Sequence, residues 1–153
     1  MKKLIEIILL LSVLLLITPR VFAACSVAAT PVSFGTYDPF VATPLDTTGT
    51  ITVTCDKVQG QGPPVAISIS ASSNSGVFIP RQMKHSSRPD VLNYNLYTKQ
   101  NRTTVWGDGT GGTSVVDTKG TKQRKETIYA TIPPRQNIPA GVYSDILTIT
   151  ITP

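Results

Sequence analysis

Few residues in this 153-residue chain are of a type that does chemistry. There are two cysteines, Cys25 and Cys55, and one histidine, His85. A hydrolase needs a nucleophile, a base and a group that orients the base. His85 lies in "MKHSSRPD", a polar stretch that reads as an exposed loop rather than a catalytic base. The glycine-rich "WGDGTGGT" (106–113) has no Lys-Ser/Thr to close it and no strand–loop–helix context, so it is no phosphate cradle. It reads as a long turn with Trp106 packed beside it. Asp108 and Asp117 lack the ligand count and spacing that calcium requires. Two cysteines and one histidine fall short of the four ligands of a zinc site. The expectation is a protein that is not an enzyme and has no metal or cofactor.

The elements that must position these residues begin after a leader. Lys2 and Lys3 precede an apolar run, "IILLLSVLLLI" (7–17), and Val21 with Ala23 fits the small-residue rule for signal cleavage. The run is shorter than the roughly 20 residues of a spanning helix. Lipidation at Cys25 would want a branched aliphatic residue where Phe22 stands. Residues 1–23 are therefore expected to be a cleaved signal peptide, and 24–153 a single domain. Without Lys2, Lys3, Arg20 and Glu6, 11 basic and 8 acidic side chains remain, a net +3 that is too small to argue for nucleic acid. In an oxidising compartment two cysteines normally pair. A Cys25–Cys55 bridge closes a loop of about 30 residues, worth roughly 3–4 kcal/mol.

Period-two alternation recurs through the mature part, the mark of half-buried strands. "ITVTC" (51–55) puts Ile51, Val53 and Cys55 on one face. "VAISIS" (65–70), "LNYNLY" (92–97) and "TIYATI" (127–132) do the same with Val65, Ile67 and Ile69, with Leu92, Tyr94 and Leu96, and with Ile128, Ala130 and Ile132. "DILTITIT" (145–152) sets Leu147, Ile149 and Ile151 against Ile146, Thr148, Thr150 and Thr152. "CSVAATPVSF" (25–34) and a weaker "RTTVW" (102–106) complete a set of about seven strands. The 11 glycines and 12 prolines cluster in the turns between them. Short strands and frequent turns at this length predict an all-β sandwich. The basic run "KGTKQRKE" (119–126), with Lys119, Lys122, Arg124 and Lys125, reads as a solvated loop that discourages edge pairing.

The sequence stops at Pro153 directly after its most regular strand. If that strand is the penultimate one of a seven-stranded sandwich, Leu147, Ile149 and Ile151 line a groove with no strand over it. An exposed edge of that kind is an aggregation hazard or a docking site for another chain's strand.

The mature chain resembles the spore coat protein U domain family, the pilin domain of archaic (Csu-type) chaperone–usher systems. The motifs that carry the resemblance are "CSV" (25–27), "FGTYDP" (34–39), "GTITVTC" (49–55), "RQM" (81–83), "LNYNLY" (92–97), "VWGDGT" (105–110), "TIYATIP" (127–133) and "GVYSDILTITI" (141–151). The resemblance implies an incomplete immunoglobulin-like fold that lacks its final strand. It implies three partners: a periplasmic chaperone, an outer-membrane usher, and a neighbouring pilin subunit that supplies a donor strand. It also implies export through the periplasm to a pilus, fimbria or spore coat, with roles in cell adhesion and biofilm formation. By position, Leu147, Ile149 and Ile151 become the chaperone and donor-strand groove, the strand after Cys25 its opposite wall, and Cys25–Cys55 the family's bridge between the first two strands.

Polymerising members resemble one another in an alternating arm before the first cysteine. Here cleavage after Ala23 would leave Ala24 alone, so the expectation is a subunit that receives a strand and has none to give, as at a fibre tip. Candidate surface-loop contacts are Val77, Phe78, Ile79 and Trp106, with packing of Phe78 into the core as the alternative. A spore-coat or cell-surface matrix protein exported by the same machinery is the competing expectation.

Overall fold

The computed structural model describes residues 24–56, 62–120 and 122–152. The predicted leader lies outside the described residues.

Among the described residues nine strands form: β1 (Cys25–Thr30), β2 (Leu45–Cys55), β3 (Val65–Ile69), β4 (Arg81–His85), β5 (Val91–Tyr97), β6 (Val116–Thr118), β7 (Gln123–Ile132), β8 (Tyr143–Ser144) and β9 (Ile149–Thr152). One sheet runs β1-β2-β7-β5-β4-β8 and the other β6-β3-β9. All pairings between these strands are antiparallel. The period-two stretches explain the packing between the sheets. Ile51, Val53 and Cys55 from β2, Ile67 and Ile69 from β3, Leu92, Tyr94 and Leu96 from β5, and Ile128, Ala130 and Ile132 from β7 are all buried in one core. Their outward neighbours are mostly threonines, serines and asparagines, with Ala66 and Tyr129 among them, the alternation a two-layer sandwich requires.

Several expectations need correction. Trp106 is not a surface contact: it is completely buried, and its indole N–H donates to the Ile67 carbonyl at 2.9 Å. A large ring with a single donor is comfortable inside when a backbone carbonyl meets that donor. "RTTVW" makes only isolated bridges, Tyr97 to Val105 and Trp106 to Ser114, in place of a strand. His85 is not an exposed loop residue but the buried end of β4. Its Nδ1 accepts the Ser87 N–H at 3.1 Å and its Nε2 faces the Ala140 carbonyl at 3.3 Å. The basic run is only partly loop. Gln123 opens β7, and Arg124, Lys125 and Glu126 pair with Val53, Thr52 and Ile51 of β2. On the other side β5 reaches β7 only at Tyr129–Thr131, so these charges occupy uncovered edge, where they deter pairing with another sheet.

Candidate strand-acceptor groove

β1 ends one sheet and β9 ends the other. Among the described residues β1 pairs only with β2, and β9 only with β3. Between these edges lies a cavity of about 300 Å³. One wall is Ala29 and Thr30 from the end of β1, continued by Pro31, Val32 and Phe34. The other is Tyr143, Ser144, Asp145, Leu147 and Ile149. The core side chains Ile69, Met83, Tyr94, Leu96 and Ile128 form the floor.

Burial records the opening. Inward positions of β2, β3, β5 and β7 are nearly sealed, whereas Leu147, Ile149 and Ile151 alternate with exposed neighbours and are themselves only half-buried. On β1, five of six residues are exposed. The period-two alternation expected over 145–152 is present, although only Ile149–Thr152 is regular strand. Leu147 and Ile149 line the cavity; Ile151 lies further along β9, opposite Ile67 and against the core.

Local contacts hold each wall. Thr30 Oγ1 accepts the Thr50 N–H at 2.9 Å, and Thr47 Oγ1 donates to the Ser33 carbonyl at 2.9 Å. Gly49 lets the wall lie close, because a Cβ there would stand 2.7 Å from Val32 Cγ2. Phe34 meets Tyr94 edge to face at 6.0 Å. The expected wall therefore begins later than the first residues after Cys25, at Ala29 and in the irregular segment beyond. The disulfide joins Cys25 to Cys55, which face each other in the β1–β2 register.

The opposite wall is pinned by Asp145. Its Oδ1 accepts from Ser73 N–H (3.1 Å), Ser73 Oγ (2.8 Å), Asn74 Nδ2 (3.1 Å) and Ile146 N–H (2.9 Å). Its Oδ2 accepts the Tyr94 hydroxyl at 2.7 Å. Burial, reinforced by that hydrogen bond, pushes Tyr94 well above the ordinary phenol range. Thr148 then exchanges hydrogen bonds with Ser70: its N–H donates to Ser70 Oγ at 3.0 Å, and its carbonyl accepts from Ser70 N–H at 2.9 Å.

Arg81 escaped sequence reasoning. It is fully buried on β4 opposite Tyr94. Its guanidinium donates to the carbonyls of Ser70 (2.8 Å) and Trp106 (2.7 Å) and lies 5.3 Å from the Phe78 ring centre. Burial lowers its pKa, opposed by Tyr94 and Asp145. One arginine thus ties β4, the end of β3 and the Trp106 turn together behind the groove. The "RQM" triplet was the available signal, but nothing in it marks the arginine as internal.

The loop candidates sit apart from the groove lining. Val77 and Ile79 are 47% and 50% exposed, and Phe78 is half-buried over Arg81. Asp108 is held below the usual carboxylate range by the hydroxyl and N–H of Thr110 and faces no other acid cluster among the described residues.

Together these features define an immunoglobulin-like β-sandwich open along one side. The chain belongs to the Spore Coat Protein U domain family, whose pattern matches residues 11–150. It is 30% identical over 143 residues to Protein U of Myxococcus xanthus, covering 87% of this chain and 79% of that one. Its fold is similar to that in the CsuC–CsuE chaperone–tip adhesion subunit pre-assembly complex of Acinetobacter baumannii Csu pili, with TM-score 0.59 and 22% identity. That match covers 86% of this chain and 40% of the other, so this chain spans about two fifths of it. The minor tip subunit HdaB of the E. coli Hda pilus aligns with TM-score 0.43 and 11% identity, over 82% of this chain and 79% of HdaB.

Proposed function

We propose that this protein is an exported structural subunit of a chaperone–usher-assembled surface pilus, and that its groove accepts a strand from another polypeptide. One observation carries the reading. The two sheet edges that should be bridged face each other across an apolar cavity, and the inward side chains of Leu147 and Ile149 are left only partly buried. A strand laid between β1 and β9 would pair both edges and seal those side chains. The likeness in fold to a subunit solved with its chaperone supports a periplasmic chaperone as first donor. A neighbouring subunit then replaces it at an outer-membrane usher.

If export removes residues 1–23, a single residue would precede Cys25 and the subunit would have no arm to lend, which supports a place at the fibre tip with the Val77–Ile79 loop supplying adhesive contact. N-terminal sequencing of the exported protein tests this: a mature start ten or more residues before Cys25 would remove the tip assignment.

Co-purification with a chaperone from a neighbouring gene tests the groove. Ile149→Asp buries an unpaired charge under the incoming strand, costs several kcal/mol and should abolish the complex. Thr150→Asp, on the exposed face, should leave it intact. If both variants bind equally, the groove is elsewhere. A second reading, a spore-coat or cell-surface matrix subunit exported by the same route, is favoured by the family's description as a Spore Coat Protein U domain. Imaging of the assembled protein as a thin fibre or as a continuous layer separates the two.

A further inference from the structure

The groove does not stop at Phe34 and Tyr143. Val32, Phe34, Met83 and Tyr143 also line a second and larger cavity of about 760 Å³. Its walls are continuations of the same two chain runs, one going on to Phe40 and the other back to Asn137. The runs 29–40 and 137–149 thus border one continuous cleft, and core residues Leu92 and Ile132 floor its second half.

The second half is apolar at its rim as well as its floor. Phe40 is 91% exposed and Val142 70%, the former among the most exposed large apolar side chains of the described residues. The walls are built rather than slack. Tyr37 donates its hydroxyl to the Pro133 carbonyl at 3.1 Å and accepts the Gln136 N–H at 2.7 Å. Tyr143 donates to the Pro139 carbonyl at 2.9 Å and packs on His85 at 5.0 Å.

We propose that this second cavity takes a bulky apolar side chain from the same polypeptide that fills the groove, several residues beyond its strand-forming part. The inference rests on the strand-acceptor reading. Continuity selects the occupant: a strand leaving the groove past Phe34 and Tyr143 enters the cavity directly. Apart from Tyr143 at the start of β8, neither wall of the second half is regular strand, so backbone pairing there is weak and a side-chain anchor must supply the contact. A ring or long aliphatic chain suits the aromatic and proline side chains that line it.

The test uses the exported chain, unfolded in urea with its disulfide intact and diluted with synthetic peptides, reading the yield of soluble monomer. The short peptide is about seven residues of alternating valine and threonine, matched to the first half at ~3.3 Å per residue. Long versions add about six residues at either end, closing on phenylalanine or on serine. The expected result is rescue by the short peptide and half-maximal rescue at about tenfold lower concentration with one phenylalanine version. The serine version should match the short one, and Phe40→Asp should erase the advantage while leaving rescue by the short peptide unchanged. A phenylalanine version no better than the short peptide, or an advantage that survives Phe40→Asp, overturns the second anchor and leaves the groove standing. Failure of every peptide removes the groove itself, and the anchor with it.

Discussion

At the scale of single residues, the unusual member is Arg81, a charge sealed inside a small sandwich. Its hydrogen bonds to the Ser70 and Trp106 carbonyls replace water. Removing it strands two buried acceptors. Arg81→Leu should destabilise the strand-complemented protein by about 2–4 kcal/mol, with Arg81→Lys intermediate because ammonium cannot fork between two carbonyls; urea midpoints measure both. Tyr94 adds a pH dependence. Its folded pKa is raised, so above about pH 10 the unfolded chain loses a phenolic proton that the folded chain keeps. Stability is then full below that pH and falls as pH rises further. Comparing urea midpoints at pH 8 and pH 11, Tyr94→Phe should show a smaller drop than the parent. Tyr94 was legible as an inward residue of β5, though its partner Asp145 was not; Arg81 was not legible at all. Pattern reading counts an arginine as surface, and only the carbonyls brought to it by folding make it internal. His85 and Trp106 misled for the same reason: their polar and glycine-rich neighbours suggested solvent, while their partners lie far along the chain.

At the scale of elements, the alternating strands were legible because one buried face forces period two, and β2, β3, β5 and β7 bury the residues expected of them. One wall of the groove was legible in the same way, through Leu147 and Ile149. The other was not, since Pro31–Phe34 is irregular and is held by contacts with β2 that no local pattern announces. That wall gives a prediction. Gly49→Ala places a methyl group 2.7 Å from Val32 Cγ2 and should push Val32 into the groove. The expected outcome is about tenfold weaker rescue by strand peptides, an overpacking cost of 1–3 kcal/mol being typical, with the disulfide still formed. The charged half of β7 was misread as loop because Arg124, Lys125 and Glu126 are poor strand formers. β2 holds them in register, and the missing β5 neighbour makes their charge useful.

At the scale of the whole molecule, a sandwich open along one side has lost part of the burial that stabilises a domain of this size. Produced in the periplasm without a partner, it should accumulate mainly as aggregate or fragments, as fractionation and blotting would show. Supplying a strand that binds the folded form alone, at 100 times its dissociation constant, should stabilise it by about 2.7 kcal/mol, on the order of 10 °C in melting temperature. A soluble monomer that melts cooperatively unaided would contradict the open groove.

The staple between β1 and β2 has a consequence for timing. β1 buries almost nothing of its own and stays in place by its ladder to β2 and by the Cys25–Cys55 bond. Until a thiol oxidase has acted, the Cys25 end of β1 is held by its ladder alone, while the Ala29–Phe34 end keeps its contacts with β2. Export chemistry should therefore precede capture, and a cell lacking that oxidase should lose the assembled protein even with every other component in place.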